Sequence, residues 1–320
     1  MPARLLVIIL LTTFSFSARS QTIVYPDSVK FIQLNIEMHQ VKMAYMDVAA
    51  RQPNGQAILL LHGKNFNSYY WKDLISFLTS NGYRVIVPDQ VGWGRSDKPN
   101  IHYSFHLLAA NTKKLLDSLK VAQVHVIGHS MGGMLATRFA LMYPERVGKL
   151  IYENPIGLED YKTFVPYQPI EKQYEKELKA TYDSYKKYQL SYYPAWKQEY
   201  DQYVLAQAES LSKPDFRQTA LVNAVTYQMI YEQPVVYEFK NINLPTLFII
   251  GKLDRTIVGK DLLEKNVAAA HGQYPVLGKR INDQVKNSIL MELDGVGHIP
   301  HIQVPDVFQR EVLRFLRSGR

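Results

Sequence analysis

Residues 124–133 read Val-His-Val-Ile-Gly-His-Ser-Met-Gly-Gly, and MLATRFALMY follows them. The first half is β-branched and apolar, as in a buried strand. The part after the serine has apolar residues at helical spacing. Between them lies a sharp turn, Gly128-His129-Ser130-Met131-Gly132, with the serine at its tip. G-x-S-x-G between a strand and a helix is the pattern of a nucleophile elbow. Such a turn holds the serine backbone in a strained, left-handed-like conformation, so the positions two residues away must be small. Gly128 and Gly132 meet that need, and Gly133 gives room for close helix–strand packing. Ser130 then stands at a helix N-terminus, where the Met131 N–H and the helix dipole favour a developing negative charge.

An elbow needs a base and an acid. Upstream, Ala57–Leu61 is a short apolar strand running into His62-Gly63-Lys64-Asn65. A helix is expected over 69–81, ended by Gly82, and a strand over 83–87. A loop, Asp89–Asp97, and a helix over 104–119 capped by Ser104 come next. Val147–Tyr152 is another strand. Strands alternating with helices call for a parallel sheet covered on both faces. Residues 29–48 read as a hairpin turning near His39-Gln40. Alternation stops at Asn154 and resumes at Pro245. The stretch between is polar and tyrosine-rich, with helical windows at 170–192, 194–211 and 214–231 broken by Pro194 and Pro214. It reads as a helical cap over the sheet's C-terminal edge. Strands then follow at 247–250, leading to Gly251-Lys252-Leu253-Asp254, and at 288–293, leading to Asp294-Gly295-Val296-Gly297-His298. Helices are expected at 261–270, at KRINDQVKN (279–287) and at 305–316.

Ser130, Asp254 and His298 therefore fall after the C-terminal ends of three strands, where ligands bind in open parallel sheets. A serine hydroxyl is a weak nucleophile at neutral pH. His298 can take its proton, and Asp254 can fix the imidazole's tautomer and stabilise its charged form. Two residues compete for these roles. His301 is three positions beyond His298, and Glu153 follows the strand at 147–152.

The 320 residues are 47% hydrophobic and 21% charged, with a formal charge of +8 and no cysteine. The pI is about 9.3. The basic residues are dispersed, which reads as a solvated surface and not as a nucleic-acid-binding patch. The absence of cysteine excludes disulfides, thiolate zinc sites and a cysteine nucleophile. Arg4, the apolar LLVIILLTTFSF and Ala18-Arg19-Ser20 have the pattern of a secretory signal peptide over residues 1–20. The apolar run is short for a membrane span, so no stable membrane insertion is expected after cleavage. Export without cysteine points to a bacterial periplasmic or secreted protein.

With HGKNFNSYYW, PDQVGWGRSDKP, GHSMGG, GKLD and GVGHIPHIQVP in register, the chain from about Phe31 onward resembles the α/β-hydrolase superfamily. The similarity is to its serine-nucleophile branch with a helical cap. This resemblance implies a mostly parallel eight-stranded sheet, a core of residues 21–155 and 240–320, and a cap of residues 156–239. It also implies an oxyanion hole made by the backbone N–H groups of Met131 and Lys64, with no metal or organic cofactor. Dehalogenases and epoxide hydrolases of this fold use aspartate at the elbow. A serine leaves esterases, lactonases, C–C bond hydrolases, iminopeptidases and haloperoxidases. Hydrolysis of a small or medium carboxylic ester through an acyl-enzyme is the simplest expectation. An aminopeptidase would need acidic cap residues such as Glu171, Glu175 and Glu177, which read better as a solvated helix face. A ligand-binding relative with weak catalysis is a further alternative. Asp89 is expected to organise its loop, and His62 and His129 to bond loop backbone. Gln303 stands where many relatives carry glutamate, and is expected to touch only helix packing.

Overall fold

A computed structural model describes residues 23–319; the signal peptide expected over residues 1–20 lies outside them. The strands are β1 (Lys30–Ile36), β2 (His39–Val48), β3 (Ala57–Leu61), β4 (Arg84–Pro88), β5 (Val124–His129), β6 (Val147–Glu153), β7 (Thr246–Gly251) and β8 (Ser288–Leu293). They form one sheet in the order β1-β2-β4-β3-β5-β6-β7-β8. β2 is antiparallel to β1 and β4, and every other pairing is parallel.

The helices of ordinary α type are α1 (Lys72–Ser80), α2 (Phe105–Ser118), α3 (Met131–Met142), α4 (Ile170–Leu178), α5 (Tyr182–Leu190), α6 (Asp201–Ala208), α7 (Phe216–Glu232), α8 (Lys265–Ala270), α9 (Tyr274–Asn282), α10 (Pro300–Gln303) and α11 (Pro305–Arg317). β3, at the middle of the sheet, is apolar and buried throughout because both of its faces are covered. Leu59 and Leu61 of β3 point into one core with Leu108, Phe139 and Leu277. Ile58 and Leu60 point into the other with Leu74, Phe308 and Val312. Thus α2, α3 and α9 lie on one face, and α1 and α11 on the other. Four helices, α4–α7, are inserted between β6 and β7. Tyr192, Tyr193, Tyr200 and Tyr203 from this insertion join one core, and Val222, Tyr227 and Ile230 join the other. No helix among the described residues is long and apolar enough to cross a membrane.

Several local expectations shift. The β1–β2 turn is at Glu37-Met38, both with positive φ, not at His39-Gln40. Neither residue is a glycine or asparagine, so composition gave no turn signal. The window 170–192 is two helices, because Thr181 and Ser184 form a capping box that starts α5 anew. The helix expected over 261–270 shortens to α8 behind a 3₁₀ turn, and the one expected within 279–287 lies earlier, as α9.

The elbow is held by close backbone approaches. A Cβ on Gly132 would stand 2.0 Å from the carbonyl oxygen of Leu61, and one on Gly128 would stand 2.5 Å from that of Gly132. Backbone cannot yield as a flexible side chain can. Gly132→Ala is therefore expected to destabilise the fold by about 1–3 kcal/mol, the usual cost of overpacking. The measurement is the shift in urea midpoint at unchanged m-value.

Candidate active site

Ser130 has φ 55° and ψ −121°, a conformation that L-residues rarely adopt. Its backbone is tied on both sides: its N–H donates to Glu153 O at 3.2 Å, and its carbonyl accepts from Gly133 N and Ile156 N. In the sheet, β6 lies between β5 and β7, and β8 is the edge strand beyond β7. The loops after β7 and β8 fold back across β6 toward the serine. Ser130 Oγ lies 3.0 Å from His298 Nε2, and His298 Nδ1 lies 2.6 Å from Asp254 Oδ2. All three expected residues meet. The only tautomer that serves both contacts has Nδ1–H donating to Asp254 and the Nε2 lone pair facing the serine hydroxyl.

Asp254 is completely buried. Burial alone would raise its pKa, but the His298 charge and hydrogen bonds from His298, Thr256 and Asn154 outweigh it and hold the carboxyl below its ordinary value. Thr256 N–H reaches Oδ1 at 2.8 Å and Asn154 Nδ2 reaches Oδ2 at 2.7 Å. Asn154 also accepts from Gly251 N–H at 2.9 Å, so one side chain fixes both Asp254 and the turn that carries it. Asn154 has positive φ, which asparagine tolerates better than most residues. That position, directly after a strand, was the signal available in the sequence.

The competitors serve each other. Both carboxylate oxygens of Glu153 lie 2.9 Å from His301 Nδ1, and His301 N–H donates to Glu153 at 2.7 Å. His301 Nε2 faces the Tyr70 carbonyl, and its ring stacks on Trp71 with centroids 4.2 Å apart. Neither ring nitrogen faces Ser130. The pair anchors the histidine loop to the end of β6.

His129 closes a further network. Gly63 N–H donates to Tyr70 Oη at 3.0 Å, and Tyr70 Oη lies 3.1 Å from His129 Nδ1. His129 Nε2 lies 2.9 Å from the His298 carbonyl. The carbonyl can only accept, so Nε2 carries the proton and Nδ1 accepts from the tyrosine. The loop bearing Lys64 is thereby tied to the backbone of His298. His62 bonds Gln90 N–H through Nε2, and Asp89 gathers Tyr25 Oη and the N–H groups of Ser68 and Arg95. Gln303 does more than pack a helix. Its amide accepts from Gly297 N–H at 2.8 Å and donates to Gly295 O at 3.1 Å, clipping the histidine loop. A carboxylate could make only the first bond.

A cavity of about 370 Å³ opens above Ser130, walled by Ile156, Tyr188, Tyr192, Tyr227 and Val258. Of the thirteen tyrosines between Tyr161 and Tyr237, Tyr185, Tyr188, Tyr192 and Tyr227 line it. Others, such as Tyr193 and Tyr200, are buried in the core. Tyr192 holds His298 in two ways: its carbonyl accepts the His298 N–H at 2.7 Å, and its ring stacks on the imidazole at 4.7 Å. The N–H groups of Met131 and Lys64 have no acceptor among the described residues. Glu177 reaches the cavity, but Glu171 and Glu175 do not. Among the described residues no group of three or more His, Asp or Glu side chains could hold a metal ion.

A serine–histidine–aspartate chain at the C-terminal edge of such a sheet defines the class, and the comparisons agree with it. The chain belongs to the α/β hydrolase fold family, whose model matches residues 56–303. It is similar to a crystal structure described as "a probable hydrolytic enzyme" of Pseudomonas aeruginosa. The TM-score is 0.90 and the identity 42%, over 92% of this chain and 96% of that one. It is 36% identical, over 126 residues, to a 2-hydroxy-6-oxononadienedioate/2-hydroxy-6-oxononatrienedioate hydrolase of Paraburkholderia xenovorans. It is 40% identical, over 100 residues, to epoxide hydrolase 2 of Siraitia grosvenorii. These matches cover 38% and 31% of this chain, and 43% and 32% of those two relatives.

Burial, followed by the His298 and His301 charges, holds the pKa of His129 well below its ordinary 6.5. The folded chain keeps this imidazole neutral, whereas the unfolded chain protonates it as pH falls past 6.5. More protons on the unfolded side mean that stability is full above that pH and is lost below it, by at most about 1.4 kcal/mol per pH unit for each such group. Urea titrations between pH 7 and pH 5 are expected to show a shallower pH slope for His129→Gln than for the parent protein. An identical slope would assign the acid sensitivity to other groups.

Proposed function

We propose that this α/β-hydrolase cleaves a small or medium carboxylic ester through an acyl-enzyme. The observation that carries it is the hydrogen-bonded chain Asp254–His298–Ser130, opening onto an aromatic-walled cavity beneath the inserted helices, which serve as its cap. Ser130 Oγ attacks the ester carbonyl while His298 Nε2 takes its proton. The Ser130–acyl bond forms, the carbonyl oxygen becomes an oxyanion, and the Met131 and Lys64 N–H groups receive it. Two donors at that position are worth several kcal/mol of transition-state stabilisation, about 3 kcal/mol each by analogy with single-donor removals. Collapse breaks the bond to the alcohol, which leaves with the proton from His298. Water then gives a proton to His298 and attacks the acyl carbonyl; collapse breaks the Ser130–acyl bond, His298 returns the proton to Ser130 Oγ, and the carboxylic acid leaves.

A second possibility, cleavage of a C–C bond beside a ketone, draws on the Paraburkholderia xenovorans relative and uses the same three residues. The cavity's mixed aromatic and polar walls suit either substrate.

A panel of methyl and p-nitrophenyl esters of increasing acyl length tests the ester activity. Ser130→Ala is expected to lower kcat/KM at least about 10³-fold, and Asp254→Asn by about 10³–10⁴-fold through loss of the correct tautomer. Glu153→Gln is expected to keep kcat within about tenfold while costing about 1–3 kcal/mol of stability through its buried pair. A reversal of the two acid variants would move the acid role to Glu153. A parent protein inert on every ester but active on a vinylogous diketone acid would establish the C–C reaction.

A further inference from the structure

Lys64 supplies a backbone N–H to the proposed oxyanion hole, but its side chain is not used by that chemistry. It is half-buried and lines the cavity above Ser130. Its root lies close to the nucleophile: a Cβ on the preceding Gly63 would stand 3.1 Å from Ser130 Cβ. The charges acting on its ammonium are those of Glu177 and Lys176, which line the same cavity. Among the described residues Lys64 has no ion pair, and its ammonium has no side-chain or carbonyl acceptor.

The other charged groups of the cavity are differently placed. Lys176 is paired with Asp261 at 2.6 Å, and both are exposed at the mouth. Glu177 is engaged by neutral amides, accepting from Gln173 at 3.1 Å and from Asn223 at 3.2 Å, and does not reach Lys64 within ion-pair distance. Lys179 is exposed at the rim. Apart from the exposed Lys179 at its rim, the cavity therefore holds one unpaired cation, Lys64, whose backbone lies beside the nucleophile, and its one inward-facing carboxylate already has donors. Withdrawing an ammonium from water without a partner is costly, and a charge-assisted bond to a carboxylate is among the stronger contacts that can offset it. Burial pulls the Lys64 pKa down and the Glu177 charge holds it up. A bound anion would act in the same direction as Glu177.

Building on the acyl-enzyme chemistry above, we propose that Lys64 receives a free carboxylate of the substrate. The preferred substrate is then an ester that carries a second, ionised carboxyl group a few carbons from the bond cleaved. The chemistry is ordinary ester hydrolysis. The carboxylate is not consumed; it orients the ester carbonyl over Ser130.

The test compares monomethyl esters of succinic, glutaric, adipic and pimelic acids with methyl esters of the straight-chain monocarboxylic acids of matching length. Methyl 5-aminopentanoate is the cationic control. The readout is the ratio of kcat/KM for the carboxylate ester to that for its neutral match. The parent protein is expected to favour the carboxylate ester at least about tenfold at one or two chain lengths. That ratio should fall to one or below in Lys64→Met and be largely restored in Lys64→Arg. A binding measurement without turnover runs beside it. In Ser130→Ala, the preferred monomethyl ester should raise Tm and its neutral match should not, and adding Lys64→Met should abolish the rise.

A parent ratio at or below one overturns the carboxylate site and leaves the ester activity standing, as does a ratio unchanged in Lys64→Met. Preference for the amino ester, lost in Glu177→Gln, also overturns it. If no ester is turned over but the Lys64-dependent rise in Tm remains, the ester activity fails and the carboxylate site stands.

Discussion

Everything at the site depends on one residue held in a conformation it would not choose. Ser130 sits at positive φ, which costs on the order of 1–3 kcal/mol for a residue with a Cβ. The strain is borne because the surroundings leave no alternative. The serine's N–H and carbonyl are both hydrogen-bonded across the elbow. The next turn of chain passes so close to Leu61 O that only glycine fits at position 132. The result is a hydroxyl lifted off the sheet at the start of α3. There the N–H of Met131 is free by helix geometry, because the first turn of a helix has no internal acceptors.

Two histidine–carboxylate pairs lie within a few residues of each other, and position alone separates their roles. Asp254–His298 and Glu153–His301 are both buried and both in hydrogen-bond contact. His298 presents its second nitrogen to Ser130, whereas His301 presents its own to a backbone carbonyl under a tryptophan ring. The second pair is costly to bury and does no chemistry on Ser130, but it ties the histidine loop to the end of β6. With Gln303 and His129, it leaves His298 little freedom to move. A general base that must stay aligned with a hydroxyl within a few tenths of an ångström gains from that restriction.

Much of this was legible in the sequence, and the part that was not has physical causes. The middle strand announces itself by an unbroken apolar run, β3 and β8 begin and end where the pattern says, and β5 runs two residues into the expected turn, to His129. The three catalytic candidates follow strand ends in the order the chemistry needs, so topology brings them together without further information. The β1–β2 turn was illegible because Glu37 and Met38 are forced into left-handed backbone by the register of the hairpin, not by their own preferences. The break between α4 and α5 depended on a reciprocal Thr181–Ser184 cap inside a continuous polar stretch. Tyr70, Asn154 and Tyr192 escaped notice for another reason. Their partners lie 59, 100 and 106 positions away, respectively, at His129, Asp254 and His298, and no local pattern encodes such contacts.

The inserted helices wall the cavity, and they also reach the proposed base. Tyr192 belongs to the insertion, yet its carbonyl holds the backbone of His298 and its ring lies against the imidazole. Its hydroxyl accepts from Asn65, next to Lys64 in the proposed oxyanion loop. Gly297 is a glycine because the Tyr192 carbonyl would meet a Cβ there at 2.2 Å. One residue of the insertion thus touches the base's loop, the oxyanion loop and the cavity wall. Displacing α5 would move the base and the substrate wall together. Under the proposed mechanism binding and catalysis are therefore mechanically coupled, and a change of cavity shape along 182–193 shifts His298 as well as the substrate wall.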